Sequence, residues 1–310
     1  MNASVAGIHA GGGARVRRGV VRGAGVLACR RGGGAGGASG AELLNAKVIG
    51  DSGVGDNVNI IGGIGWAVEN GAQVISMSIG AASALNDSVE KAIQSAVAKG
   101  VVVVVSSGNC GNGCPSKNCG SFRGVTSPAS SPSVIAVGAV DKVKKEVACF
   151  SSGENVQGVG IKPDFAAPGV AIKSSLPGGI YQAMSGTSMA APHVSGAVAL
   201  LLNKNPGMKQ EDVKRVLERT SLDLGDIGKD TSYGFGLIDL AKALIYREGL
   251  EFSVDLQKQI LSGSLQKINV TVYDDITVNS VKATITKPNG AKSAEVAFTS
   301  SVGNNYTYSF

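Results

Sequence analysis

The run Val101-Val102-Val103-Val104-Val105-Ser106 constrains this chain more than any other segment. Successive side chains on a strand point to opposite faces, so an unbroken apolar run needs cover on both. That demand is met by a strand inside a sheet with helices on either side. The neighbouring sequence supplies them. Asp87–Lys99 spaces Val89, Ala92, Ile93, Ala96 and Val97 at helical intervals and closes at Gly100. Asn57–Asn70 does the same with Val58, Ile61, Ile64, Trp66 and Val68, and closes at Asn70-Gly71. Leu43–Ile49, Gln73–Ile79 and Ser133–Val140 read as further strands. Strands alternating with helices of about a dozen residues predict a mostly parallel sheet in a three-layer α/β/α domain. Downstream, Gly196–Leu202 continues an apolar helix that Asn205-Pro206-Gly207 stops, Gln210–Arg219 is amphipathic, and Gly234–Leu244 leads into one more helix.

Both ends depart from this pattern. Residues 1–39 are dominated by Gly, Arg and Ala and show no period of 2 or 3.6, so no structure is expected there. After about Ile245 alternation takes over: Val281, Ala283 and Ile285, a turn at Lys287-Pro288-Asn289-Gly290, then Ala294, Val296 and Phe298. That is a β-hairpin signal, and Tyr306, Tyr308 and Phe310 begin a further strand. The expected organisation is a Gly/Arg-rich segment at 1–39, the α/β domain at 40–247, and a partial all-β, sandwich-like module at 248–310.

The formal charge of +6 suggests an anionic partner until it is located. Residues 1–40 hold six arginines and no acid, and the other 270 residues carry 23 basic and 23 acidic groups. No basic face is left to bind nucleic acid. No apolar run approaches the roughly 18–20 residues of a membrane span. No secretion signal is evident either. Val26-Leu27-Ala28-Cys29 looks like a lipoprotein cleavage box, but Arg22 interrupts the apolar stretch and the basic cluster lies far from Met1.

Chemistry concentrates in Gly186-Thr187-Ser188-Met189-Ala190-Ala191-Pro192-His193-Val194-Ser195-Gly196. A serine after Gly-Thr that opens an apolar helix sits where backbone N–H groups and the positive helix end converge. Such a place favours an exposed hydroxyl and a developing oxyanion. An N-cap serine would occupy the same spot, but the whole eleven-residue string resembles the nucleophile motif of the subtilisin-like serine peptidases, the subtilases.

Further segments carry the same resemblance. Val102–Val105 followed by Ser106-Ser107-Gly108-Asn109 is similar to the family's buried strand ending in the oxyanion-hole asparagine. Ser76-Met77-Ser78-Ile79-Gly80 is similar to the strand that pairs with extended substrate. Trp66–Ala72, Pro128–Ala139, Lys162–Gly169 and Tyr233–Gly236 also look like family segments. The likeness covers about 40–247. It implies Ser188 as nucleophile, Asn109 as oxyanion donor, and Ser78, Ile79, Gly80, Ser106, Ser107 and Gly108 as the substrate-binding rim. It implies polypeptide substrates and an extracellular or cell-surface setting. Calcium is common in the family, but no loop here displays a ligand spacing for it, so no metal or cofactor is assigned.

The triad partners do not match. A serine nucleophile needs a base, and the base needs a carboxylate. The family's histidine motif reads His-Gly-Thr-His-Val-Ala-Gly. If Val5-Ala6-Gly7 is its tail, Met1 falls where the histidine belongs and the aspartate would precede the chain. The expectation is therefore a truncated or misread start. The chain has two histidines. His193 follows Ser188 by five residues, which turns it about 500° and raises it roughly 7.5 Å along a helix, so its ring points away; His9 lies in the segment without a pattern. Asp51 and Asp56 stand where the family places neither partner, and Asp164 resembles a structural position.

Cys110, Cys114 and Cys119 follow Asn109 directly, with Cys29 and Cys149 elsewhere. The spacing is not that of common zinc sites. A disulfide across a surface loop beside the cleft is favoured, with free thiols or a metal as alternatives. If oxidised, the loop points to an exported protein. Three functions follow: an endopeptidase acting through an acyl-enzyme at Ser188, a pseudoprotease that binds peptide without cutting, and a surface protein whose β module does the binding.

Overall fold

The computed structural model describes residues 4–10, 38, 40–50, 55–82, 87–175 and 180–246, and after residue 250 the backbone of five strands. The chain divides into two compact units, Met1–Ile245 and Tyr246–Phe310.

The first unit runs β1 (Ser4–Ala10), β2 (Glu42–Ile49), α1 (Asn57–Glu69), β3 (Val74–Met77), α2 (Asp87–Ala98), β4 (Val102–Ser106) and β5 (Ile135–Val140). It continues with β6 (Glu154–Val156), β7 (Gly160–Lys162), β8 (Phe165–Pro168), β9 (Ile172–Ser175), β10 (Tyr181–Met184), α3 (Thr187–Lys204), α4 (Gln210–Thr220) and α5 (Leu240–Ile245). Six strands form one sheet in the order β2-β1-β3-β4-β5-β8, and every pair is parallel. This is the expected three-layer architecture.

The valine run explains the centre of the sheet. Val102 to Val105 are fully buried, each contributing about 1.5–3 kcal/mol of apolar transfer. Val103 and Val105 join Ile64 and Ala67 of α1, Ile93 and Ala96 of α2, and Ile75 and Met77 of β3 in one core. The long helix α3 packs across β3, β4, β5 and β8, with α5 against it and α4 against α5. At the strand's start, Gln210 of α4 accepts the Val103 N–H at 2.9 Å and donates to Ser133 O at 2.9 Å.

Most helix ends fall where the sequence placed them. Asp56 caps α1 by accepting from Asn59 N at 2.7 Å, and Gly71 beyond its end takes φ +77°. One expectation fails: Ser4–Ala10 is not without structure but forms β1, paired with both β2 and β3. Its strand character comes from two flanking partners and not from its own pattern. Most of the rest of 1–39 lies outside the described residues.

The second unit is an antiparallel sheet of β11 (Glu251–Asp255), β12 (Lys267–Tyr273), β13 (Val281–Ala283), β14 (Val296–Val302) and β15 (Asn305–Ser309), ordered β11-β12-β15-β14-β13. Val281 pairs with Phe298 and Ala283 with Val296, the hairpin read from alternation. The turn itself lies outside the described residues. A second sheet, which a sandwich requires, is not among them.

Candidate active site

The site is assembled where β3 and β4 end, at the carboxyl edge of the parallel sheet where open α/β folds bind ligands. Past Ser106 the chain turns through Gly108, whose φ of +114° suits glycine. A Cβ there would fall 2.7 Å from the Thr126 side chain and 2.9 Å from Ser152 Oγ. The tight turn delivers Asn109 to the start of α3.

Helix α3 begins at Thr187 with Gly186 as N-cap, and glycine has no side chain with which to cap. Asn109 takes that role from 78 residues away. Its Oδ1 accepts the Thr187 N–H at 2.9 Å and the Thr187 hydroxyl at 3.0 Å. A backbone N–H can only donate, so the amide must present oxygen to Thr187, and its NH2 group must face the other way. The Thr187 hydroxyl in turn accepts the Gly108 N–H at 3.2 Å. Thr187, 1% exposed, therefore fixes both the position and the orientation of Asn109. The Met189 N–H closes on Gly186 O at 3.0 Å. Among the described residues, neither the Ser188 N–H nor Asn109 Nδ2 has an acceptor. These are two donors beside the helix end that carries Ser188.

Ser188 is half-buried. Its carbonyl would ordinarily accept from the residue four on, but that residue is Pro192, which has no N–H. The Ser78 hydroxyl donates to it instead at 2.9 Å. The proline thus leaves an acceptor that ties the segment after β3 to the backbone of Ser188. Ala81 exchanges both its backbone bonds with Ser127, at 2.9 and 3.0 Å. Between these anchors, no described group takes the backbone N–H or C=O of Ile79 or Gly80.

The other expected rim residues differ among themselves. Ser106 closes β4 and is buried. Ser107 is fully buried; its N–H donates to Val137 O at 2.9 Å, its hydroxyl to Ser152 O at 2.9 Å, and its carbonyl accepts from Thr126 N at 2.9 Å. It has no polar group to offer a substrate. Gly108 shapes the turn, and its N–H is engaged by Thr187.

His193 does not face Ser188. Its Nδ1 lies 2.8 Å from Met189 O, one turn back, which fixes Nδ1 as the protonated nitrogen. Burial holds its pKa below the usual histidine range, and the Met189 carbonyl only partly opposes this. His9 stands near the carboxyl end of β1, opposite Lys47 of β2.

Two disulfides close the loop after Asn109, Cys110–Cys119 and Cys114–Cys149. The favoured loop disulfide is present, and the sequence reading missed that Cys149 supplies a second. Cys29 lies outside the described residues. The loop is tied back further: Ser116 N donates to Asn109 O at 2.8 Å, and Cys110 N to Ser152 Oγ at 2.9 Å. Thr187 was the other residue missed. It lies inside the quoted motif, but its role depends on a partner 78 positions upstream.

Among the described residues no group of three or more His, Cys, Asp or Glu side chains could hold a metal. The acidic loop at 223–230 is held by its own carboxylates. Asp230 accepts from the N–H groups of Asp226, Ser232 and Tyr233, and Asp223 from that of Gly228, so these carboxylates shape their own turn.

Residues 3–236 match the model of the Subtilase family. The chain is 41% identical over 202 residues to Subtilisin DY of Bacillus licheniformis, covering 65% of this chain and 68% of that protein. It is 43% identical over 206 residues to Subtilisin NAT of Bacillus subtilis subsp. natto, covering 66% of this chain and 49% of that one. Among solved structures it resembles Sphericase, with a TM-score of 0.55, 32% identity, and coverage of 64% and 69%. The chain belongs to the subtilase family. It spans about half the length of several curated subtilisins that it matches, Subtilisin NAT among them.

Proposed function

We propose that the chain carries the nucleophile, the oxyanion donors and the substrate strand of a serine endopeptidase. Ser188 Oγ attacks a peptide carbonyl, its proton passes to a base and then to the leaving amine, and water releases the acyl group. Asn109 Nδ2 and the Ser188 N–H donate to the tetrahedral oxyanion. Extended polypeptide pairs with the open backbone of Ile79 and Gly80. The observation that carries this reading is the double grip of Thr187 on Asn109 Oδ1, which leaves the amide NH2 as a preorganised donor.

A second reading is peptide binding without cleavage. It is favoured by His193, whose ring is bonded to its own helix at Met189 O. Cleavage would need a base other than His193. Fluorophosphonate labelling separates the two readings. Labelling that is rapid and abolished by Ser188→Ala places a base within reach. Labelling slower by about a million-fold, the loss that follows removal of the histidine from a subtilisin triad, leaves a peptide-binding cleft. Two disulfides in the described loop favour an extracellular or cell-surface setting. No helix among the described residues is long and apolar enough to cross a membrane.

A further inference from the structure

The amino ends of β5 and β8 lie at the edge of the sheet opposite Ser188, and a cavity of about 240 Å3 opens there. Asp164, 6% exposed, forms its floor. One carboxylate oxygen accepts from Lys162 Nζ at 2.7 Å and from the Ala136 N–H at 2.8 Å. The other accepts from Lys229 Nζ at 2.9 Å. Both oxygens are therefore engaged. Lys162 directs a second N–H to Val134 O at 3.2 Å and is itself buried.

A third ammonium lines the same cavity. Lys214 of α4 has one described partner, the Pro132 carbonyl at 3.3 Å, and no described carboxylate pairs with it. An ammonium has three N–H donors, so two remain unassigned. Glu218, one turn further along α4, is exposed at the rim. Glu211 on the same helix also attracts the Lys214 ammonium, so Asp164, Glu211 and Glu218 match the three ammonium groups in number, and what the cavity offers a ligand is the pair of unassigned Lys214 donors. Burial disfavours the Lys214 ammonium, and the attraction of Asp164 only partly offsets that. The walls are apolar: Val159, Ile161 and the ring of Phe235, whose centroid lies 4.9 Å from Lys229 Nζ. Desolvated cations seek an anion, and apolar walls of this extent suit more than a bare ion.

We propose that this cavity binds a small carboxylate ligand with an apolar body. The carboxylate sits between Lys214 and Lys229, and the body rests on Phe235 and Ile161. The ligand is either a free organic acid or the terminal carboxylate of a peptide, which share this chemistry. The site is separate from Ser188 and does not depend on catalysis.

Titration of the full chain with benzoate at constant ionic strength, read by thermal shift and by chemical shifts, tests the proposal. A saturable response to benzoate with little response to the neutral benzamide is expected. Lys214→Met keeps the stem but removes the charge, and should weaken benzoate at least about tenfold. Glu218→Gln removes a repulsive charge, leaves every lysine in place, and should tighten binding about threefold. Near-ultraviolet circular dichroism verifies that both variants fold. Equal responses to benzoate and benzamide, or unchanged benzoate affinity in both variants, would overturn the site. Inorganic phosphate binding as tightly as benzoate would overturn the apolar half of the proposal. N-acetylphenylalanine binding more tightly than benzoate assigns a peptide terminus, and the reverse order assigns a free acid.

Discussion

The Ser78 hydroxyl donates to the Ser188 carbonyl across 110 residues of sequence, at 2.9 Å. The bond exists because Pro192 withholds the N–H that would otherwise claim that carbonyl. Ser78→Ala should therefore cost about 1–2 kcal/mol, the usual loss for a half-buried bond whose acceptor is left unpaired. Pro192→Ala offers an N–H to the same carbonyl. In that background the Ser78→Ala cost should shrink, because the acceptor has a second partner. Urea denaturation of the two single variants and the double variant measures the coupling, and strict additivity would argue against the link.

Asn109 carries two separable duties. Its Oδ1 caps α3 through Thr187, and its NH2 is the proposed oxyanion donor. Asn109→Asp keeps an acceptor for Thr187 but removes the donor; Asn109→Ala removes both. Both variants should slow fluorophosphonate labelling of Ser188 by about 10²–10³, the loss seen when the corresponding donor is removed from subtilisin. Only Asn109→Ala should also lose stability, by about 1 kcal/mol for the missing cap. Equal stability in the two variants would separate Asn109 from the cap.

The sequence was legible where a residue's role is local. The valine run could only be a strand buried on both faces, and the helix-closing glycines at 71 and 100 take positive φ as their positions suggested. Ser188 and Asn109 also stood out, because each lies in a string whose spacing is itself informative, and the fold brings the two together at the start of α3. What escaped was relational. Nothing adjacent to Thr187 signals that its hydroxyl bridges Gly108 and Asn109, and nothing near Cys149 points to Cys114, 35 positions away. β1 escaped for the same reason, since it becomes a strand through two partners. Ser107 shows the converse error, where a motif position suggested a substrate contact but the fold engages all its polar groups.

The disulfides should differ in what they contribute. By chain entropy, Cys114–Cys149, with a separation of 35, stabilises by about 4 kcal/mol, and Cys110–Cys119, with a separation of 9, by about 3 kcal/mol. Their local effects should run the other way. Cys110 adjoins Asn109, so Cys119→Ser with Cys110→Ser should slow Ser188 labelling more than loss of the longer crosslink does. Peptide mapping without reductant verifies the pairing, and urea midpoints with labelling rates test the inversion.

Asp164 makes stability depend on pH. Burial pushes its carboxyl up, but Lys162, Lys214 and Lys229 outweigh that and hold it below the usual carboxylate range. A carboxyl whose folded pKa lies below its unfolded value of about 3.9 contributes stability in full above that value. The contribution is lost as pH falls through the folded value. Acid should therefore unfold the protein partly by protonating Asp164 and leaving Lys162, only 2% exposed, without its counter-charge. Asp164→Asn creates that situation at every pH. It should destabilise by about 3–5 kcal/mol at neutral pH, the cost of breaking a buried pair from one side. The penalty should fade toward acid, where the native carboxyl is also neutral. Urea midpoints of both proteins between neutral pH and pH ~2 provide the measurement, and parallel curves across that range would rule this role out.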